Sequence, residues 1–171
     1  MRLQNQLSAE CHQDVINAAR FSRYLTTKKT LINKIEHLGI AVSSIEEGEK
    51  IFADLLGSQP YKRESVESEK VTTSFFMLGQ SKVELLEATD PESPIRKFID
   101  KRGGGIHHIA LDVTDIEMEL ERLQGLGFQL IHQVPKAGAD NKKIAFLHPK
   151  STAGVLIELC EDINSESNHH E

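Results

Sequence analysis

The amino-acid sequence predicts an α+β protein made of two copies of a β-α-β-β-β unit, and two observations support this fold class. The stretch HLGIAVSSIEE from His37 returns as HIALDVTDIEM from His108, with five positions the same or similar at a common offset of 108 − 37 = 71. The copies also end alike, because VELL at residues 83–86 matches IELC at residues 157–160 at an offset of 158 − 84 = 74. Each copy therefore begins with a histidine and ends with a glutamate.

The first copy covers residues 34–89. Apolar residues alternate with small or polar ones over residues 34–43, which predicts a strand with one buried face. His37 lies on the other face of this strand, among small neighbours. A helix is predicted at residues 45–56, capped by a serine and closed by Gly57. Three more strands are predicted, at residues 59–66, 71–78 and 82–87.

A linker at residues 90–105 leads to the second copy. It contains a short predicted helix at residues 95–101 and three consecutive glycines, which we interpret as a flexible approach to a strand rather than a phosphate-binding loop. The second copy covers residues 106–161. Alternation in its first strand directs His107 away from the face that carries His108, so we assign His107 to packing or to a contact that supports a ligand. The other elements are a helix at 115–126 and strands near 128–133, 142–148 and 154–160.

The segments outside the two copies have no repeated counterpart. Residues 1–33 are predicted to be a helical extension, with a helix at residues 8–25 placed by its apolar spacing. Residues 162–171 are polar and are expected to form a tail. The two copies together, residues 34–161, are expected to form a single domain.

Composition and charge argue against several classes of partner. The formal net charge of −6 disfavours binding to nucleic acid or to an anionic membrane. No apolar run approaches the roughly 18 residues that span a membrane. The two cysteines, Cys11 and Cys160, form no CxxC motif and no disulfide framework, which is typical of a reducing compartment. We therefore expect a cytoplasmic protein with no nucleic-acid or membrane partner.

The repeated histidines and glutamates predict a metal site shared by both halves. Duplicated units in one sheet commonly pack about a pseudo-twofold axis, so equivalent side chains on their concave faces converge. Two imidazoles and two carboxylates favour a divalent first-row ion, namely Mn, Co, Ni, Fe or Zn. Four protein ligands would leave two octahedral positions open, as a catalytic site requires. The predicted ligands are His37, Glu84, His108 and Glu158.

Four segments resemble the vicinal oxygen chelate superfamily, which contains glyoxalases, bleomycin-resistance proteins and dioxygenases, and within it most resemble the methylmalonyl-CoA epimerases. The segments are IEHLGIAV, VELLEATDPESPIRKFI, GGGIHHIALDV and GADNKKIAFLHPKSTAGVLIELCE. The resemblance covers about residues 34–161. It implies a cupped, eight-stranded mixed sheet with helices outside, and one divalent ion held in the cup by the four predicted ligands.

The resemblance also implies a reaction and the residues that perform it. Methylmalonyl-CoA epimerases remove the α-proton of a CoA thioester and return it to the opposite face, through an enolate that the metal stabilises. Glu158 and Glu84 are the candidate acid-base groups. Thr73, which stands where some epimerases carry a glutamate, is a candidate for substrate binding. Further candidates for substrate binding, each also compatible with a solvated or structural role, are Lys142, Lys143 and His148.

Two other functions fit the same residues. Glyoxalase I, a lactoylglutathione lyase, belongs to the same superfamily and would act on a glutathione adduct through a similar metal-assisted proton transfer. A small-molecule binding or resistance protein of this fold is the alternative outside enzymes. By resemblance, we also expect a homodimer.

Overall fold

The structure is a computed structural model that describes residues 31–163. The predicted N-terminal helix and nearly all of the predicted tail lie outside these residues. The order of elements is β1 (Ile32–Ala41), α1 (Ile45–Leu56), β2 (Lys62–Val66), β3 (Val71–Leu78), β4 (Ser81–Ala88), α2 (Pro94–Arg102), β5 (Gly105–Val113), α3 (Ile116–Gly125), β6 (Lys136–Ala137), β7 (Lys142–Leu147) and β8 (Ile157–Asp162). Short 3₁₀ turns occupy Glu67–Glu69 and Pro149–Ser151.

The eight strands form one mixed sheet in the order β2-β3-β4-β1-β5-β8-β7-β6. Each copy pairs its first and last strands in parallel, and β1 and β5 join the copies in an antiparallel pair. Exchanging the two copies leaves this order unchanged, as a pseudo-twofold axis between β1 and β5 requires. The sheet curls into a half-barrel, and the predicted α+β fold of two β-α-β-β-β units is confirmed.

Equivalent interactions begin the two long helices. Ser44 caps α1 by accepting a hydrogen bond from the backbone N–H of Glu47, and Asp115 caps α3 in the same way from Met118. A glutamate of the last strand in each copy also accepts a hydrogen bond from the first residue of the helix. Glu87 accepts from the backbone N–H of Ile45, and Glu161 accepts from that of Ile116, each at 2.8 Å. These helices pack their apolar faces on the convex side of the sheet, which leaves the concave side to the site.

One predicted strand is wrong. Residues 128–133 make a single isolated bridge, between Leu130 and Leu147, and the strand that pairs with β7 is the short β6 further along. The backbone N–H of Phe146 donates to Nδ1 of the His132 side chain at 3.2 Å, so a side chain takes the bond that would extend the pairing. Pro135 then offers no N–H for a ladder.

Smaller differences concern strand ends. The second strand begins at Lys62 rather than residue 59, and the last strand runs over Ile157–Asp162 rather than 154–160. Gly154 and Ala153 have positive φ values of 86° and 53°, which a strand cannot accommodate. Among residues 31–163, no helix combines the length and the apolar character needed to cross a membrane.

Candidate metal centre

The four predicted ligands lie on the four inner strands and meet on the concave face. Their side chains are buried: His37 is 6% exposed, Glu84 4%, His108 3% and Glu158 5%. Nε2 of His37 and Nε2 of His108 are 2.9 Å apart. Oε2 of Glu84 lies 3.2 Å from the first of these nitrogens and 3.5 Å from the second, and Oε2 of Glu158 lies 3.5 Å from the second.

Small residues between the ligands make this convergence possible. The strand register gives two rows across the sheet, in which Gly39 stands between Glu84 and His108, and Ala110 between His37 and Glu158. The imidazole of His108 covers Gly39 so closely that an added Cβ would lie 2.2 Å from its Cε1. Large side chains at these two positions would fill the space where the ligand atoms meet.

The electrostatics of this cluster suit a cation. Burial alone would lower the pKa of His37, but hydrogen bonds to Glu36 and Glu84 outweigh it and raise the pKa to about 10. Burial would raise the pKa of Glu84, yet hydrogen bonds from His108 and His37 lower it to about 2. Glu158 has a raised pKa, chiefly because it is buried. Without a metal ion, protonated His37 thus supplies a positive charge to the cluster. A bound divalent ion would take the place of that proton.

The donor atoms also fit a metal ion by their type and arrangement. Nitrogen and carboxylate donors of His37, His108 and Glu158 all lie within 4.8 Å of one another, and Glu84 contacts both imidazoles. Imidazole nitrogens with carboxylate oxygens form the set that borderline first-row divalent ions prefer. These side chains can therefore hold a metal ion whose identity the donor set leaves open.

The cluster forms the floor of an open cavity of about 670 Å³. Much of the wall is apolar and comes from both copies and from α2. A smaller part is charged or polar and includes carboxylates that do not belong to the cluster. The apolar lining comprises Val66, Val71, Phe75, Leu86, Pro94, Ile95, Ala139, Ile144 and Phe146, and the polar lining includes Glu36, Glu69, Thr73, His107, Asp140 and Lys142.

Comparison with known proteins gives the family. Residues 36–146 match the Glyoxalase/Bleomycin resistance protein/Dioxygenase superfamily. An uncharacterised protein of Bacillus subtilis, YqjC, is 41% identical over 140 residues, which are 82% of this chain and 100% of that protein. The mitochondrial methylmalonyl-CoA epimerase of Dictyostelium discoideum is 38% identical over 131 residues, 76% of this chain and 79% of that protein. The chain belongs to the methylmalonyl-CoA epimerase family of this superfamily.

A solved structure of the Streptomyces coelicolor methylmalonyl-CoA epimerase, in complex with 2-nitronate-propionyl-CoA, supports the same assignment. It superposes with a TM-score of 0.76 and 29% identity, covering 80% of this chain and 99% of that one. The family is one of metal-dependent enzymes, and the chain is accordingly an enzyme of the epimerase (isomerase) type. The relatives with a stated activity give no support to the glyoxalase I alternative.

The structure separates the residues predicted to bind substrate. Thr73 and Lys142 line the cavity, and both are buried. Lys143 lies on the other face of β7, where its ammonium contacts Glu161 at 3.4 Å. His148 lies outside the cavity, and its Nδ1 accepts a hydrogen bond from the N–H of Lys150 at 3.1 Å, which stabilises the 3₁₀ turn.

Two of the three register shifts between β1 and β5 change the side-chain alternation near the cluster. Ile35 and His37 pair with the adjacent Leu111 and Ala110, so Glu36 is an extra residue of β1. In β5 the extra residue is His107, at the repeat offset of 107 − 36 = 71. The prediction that His107 faces away from His108 is therefore wrong. Its Nδ1 lies 3.0 Å from Nδ1 of His108, so the predicted contact with a ligand is present.

Sequence reasoning missed three carboxylates that line the cavity outside the cluster, namely Glu36, Glu69 and Asp140. Glu36 is 3% exposed and contacts Nδ1 of His37 at 2.5 Å. In the sequence Glu36 does not stand out, because Lys34 on the same predicted face of the first strand is also charged. Glu69 belongs to the 3₁₀ turn before β3 and forms an ion pair with Lys136. No local pattern distinguished Glu69 from the exposed Glu67, because only the curl of the sheet brings it to the cavity.

Proposed function

We propose that this protein is a metal-dependent methylmalonyl-CoA epimerase. The observation that supports this most directly is the cluster of two histidines and two glutamates at the floor of a cavity that holds further carboxylates. Metal ligands and separate proton-transfer groups are two components that together can catalyse α-proton exchange on a thioester. The names of the relatives supply the substrate class, a CoA thioester of a 2-methyl-substituted malonate.

The ligands in this proposal are His37, Glu84, His108 and Glu158. A divalent ion held by these residues would supply positive charge to stabilise the negative charge that develops on the substrate's carbonyl oxygen as the α-proton leaves. The protein's own contribution is to hold four donor side chains on adjacent rigid strands and to exclude water from around them. The low exposure of all four is consistent with this role.

Inversion at the α-carbon requires one group to remove the proton and another to return a proton from the opposite face. We propose Glu158 and Glu69 for these two roles. Glu158 contacts only one of the two imidazoles, at 3.5 Å, whereas Glu84 contacts both, so Glu158 is the less constrained carboxylate of the cluster. Glu69 lines the same cavity outside the cluster, and Lys136 holds its carboxylate.

The apolar wall fits the remaining part of the reacting group. Side chains such as Leu86, Ile144 and Phe146 offer an apolar surface to the α-methyl substituent and lower the local polarity around the site. Lys142 reaches the cavity, but its ammonium contacts Glu36 at 3.3 Å and Asp162 at 2.8 Å. We therefore assign Lys142 to the charge balance of the site rather than to a phosphate of CoA.

Proton exchange with solvent tests this proposal. Purified protein, loaded with Co²⁺, is incubated with a single stereoisomer of methylmalonyl-CoA in D₂O and followed by proton NMR. We expect loss of the α-proton signal, conversion to the other stereoisomer, and loss of both on treatment with a chelator. A parallel assay uses the hemithioacetal of methylglyoxal and glutathione. Formation of lactoylglutathione without exchange on methylmalonyl-CoA would contradict the proposal and favour glyoxalase I.

Binding without turnover of either substrate would instead favour a binding or resistance protein. Light scattering coupled to size-exclusion chromatography tests the predicted homodimer separately. The cytoplasmic location also stays a prediction.

A further inference from the structure

We propose that Glu36 is a positioning residue for the metal ligand His37, and that Lys82 holds Glu36 in place. This inference rests on the proposed metal site, which it extends beyond the four ligands. It concerns a chain of three contacts, from Lys82 through Glu36 and His37 to the centre of the cluster.

The geometry of this chain is complete at each contact. Nδ1 of His37 donates to Oε2 of Glu36 at 2.5 Å, which leaves Nε2 directed at the cluster. The other carboxylate oxygen of Glu36 forms an ion pair with Lys82 and lies 3.3 Å from the ammonium of Lys142. Lys82 is itself bound to Asp140 at 2.7 Å. Both oxygens of Glu36 are thus engaged, so its carboxylate has one orientation.

The bulge in β1 makes this contact possible. In a regular strand, adjacent side chains point to opposite faces, and Glu36 would project into the apolar convex core. The extra residue at Glu36 brings its carboxylate beside the ring that follows it. An ordered irregularity that buries a charged side chain next to a proposed ligand is expected to serve that ligand.

The effect on the metal follows from the chemistry of imidazole. A carboxylate that accepts the Nδ1 proton fixes the ring orientation and makes Nε2 a stronger donor, and loss of such a partner typically weakens metal binding about 10- to 100-fold. The repeat provides an internal contrast. The equivalent position beside His108 carries His107, an imidazole packed on Phe98, and therefore supplies no carboxylate. Support by a carboxylate is thus specific to the His37 half.

The test compares metal-free Glu36→Gln, Lys82→Met and the double variant with wild type. Affinity for Co²⁺ alone is measured by competition with a chelator, and thermal unfolding of each metal-free protein is recorded. We expect Glu36→Gln to weaken Co²⁺ binding about 10- to 100-fold. Lys82→Met should weaken it less, and the double variant should bind no more weakly than Glu36→Gln, because Lys82 acts through Glu36. Lys143→Met, on the other face of β7, is the control and should bind as wild type.

The outcomes separate this inference from the proposed function. Wild-type protein that binds no Co²⁺ would contradict the metal site itself. Wild-type binding together with unchanged affinity in Glu36→Gln would overturn the role of Glu36 and leave the metal site intact. If Glu36→Gln does not fold, Lys82→Met decides: weaker Co²⁺ binding by a folded protein supports the inference, and wild-type affinity overturns it. Lower thermal stability with unchanged affinity would show a purely structural role.

Discussion

Gly39 and His108 face each other across the β1–β5 pair, and the imidazole occupies the space that any side chain at position 39 would need. An added Cβ would lie 2.2 Å from Cε1 of His108, well inside contact distance. The glycine has an ordinary φ, so space alone requires it. The missing side chain at position 39 on β1 thus sets the position of the proposed ligand His108 on β5.

Gly39→Ala is expected to displace His108 and to weaken Co²⁺ binding by about tenfold or more, because overpacking at a rigid site moves the ring off its position. Chelator competition measures the affinity. Gly125→Ala is the matched control, since a Cβ there meets nothing within 4 Å. Equal Co²⁺ affinity in Gly39→Ala and wild type would contradict the tight placement of His108.

Glu69→Gln is expected to lower the rate of α-proton exchange about 10²- to 10⁴-fold while leaving the bound metal unchanged, because the amide cannot accept or return a proton. Proton NMR in D₂O measures exchange, and elemental analysis measures the metal. Glu67→Gln changes an exposed glutamate of the same 3₁₀ turn and should retain activity. Full exchange activity in Glu69→Gln would remove Glu69 from the mechanism.

Metal binding is expected to strengthen with rising pH. The pKa of His37 is raised to about 10 in the protein alone, so near neutral pH the metal must displace a proton from this ring. Raising the pH removes the competing proton, and the apparent Co²⁺ affinity should increase roughly tenfold per unit between about pH 6 and about pH 8. Titrations at several pH values measure it. A pH-independent affinity would show that His37 carries no such proton.

The same shift predicts the pH dependence of the metal-free fold. A histidine whose pKa is raised from 6.5 to about 10 by folding stabilises the native state fully below pH 6.5. This stabilisation should disappear as the pH rises toward 10. Thermal unfolding of metal-free protein across this range measures the effect, and bound Co²⁺ should suppress it by replacing the proton.

Asp140→Asn is expected to destabilise the protein by about 1 kcal/mol, because it removes the charge that links the two ends of the curled sheet. Asp140 accepts hydrogen bonds from Tyr61 at 2.8 Å and Lys62 at 3.1 Å, and it pairs with Lys82. Asparagine tolerates the positive φ of 52° at this position, so backbone strain should not change. Denaturant unfolding measures the difference, with the exposed Asp54→Asn as control. An unchanged midpoint would mean that solvent screens these contacts.

The duplicated architecture and the residue types of the cluster can be read from the amino-acid sequence alone. The repeat offset selected His37 and His108, and the matching strand ends selected Glu84 and Glu158. The four side chains do converge, because twofold packing brings equivalent residues together whatever the loops do, and their role as metal ligands stays a prediction. The prediction of a strand at 128–133 was wrong, because the His132 side chain accepts a hydrogen bond from the backbone N–H of Phe146 and interrupts the pairing.

The surroundings of the cluster depend on contacts between distant parts of the chain. The bulges at Glu36 and His107 depend on how β1 pairs with β5, some 71 residues away, and a period-two pattern in one strand cannot show an extra residue opposite its partner. Glu69 and Asp140 reach the cavity because the sheet curls and brings its distant strands together. Local sequence sets which face a side chain prefers, whereas pairing between distant strands sets which side chains become neighbours.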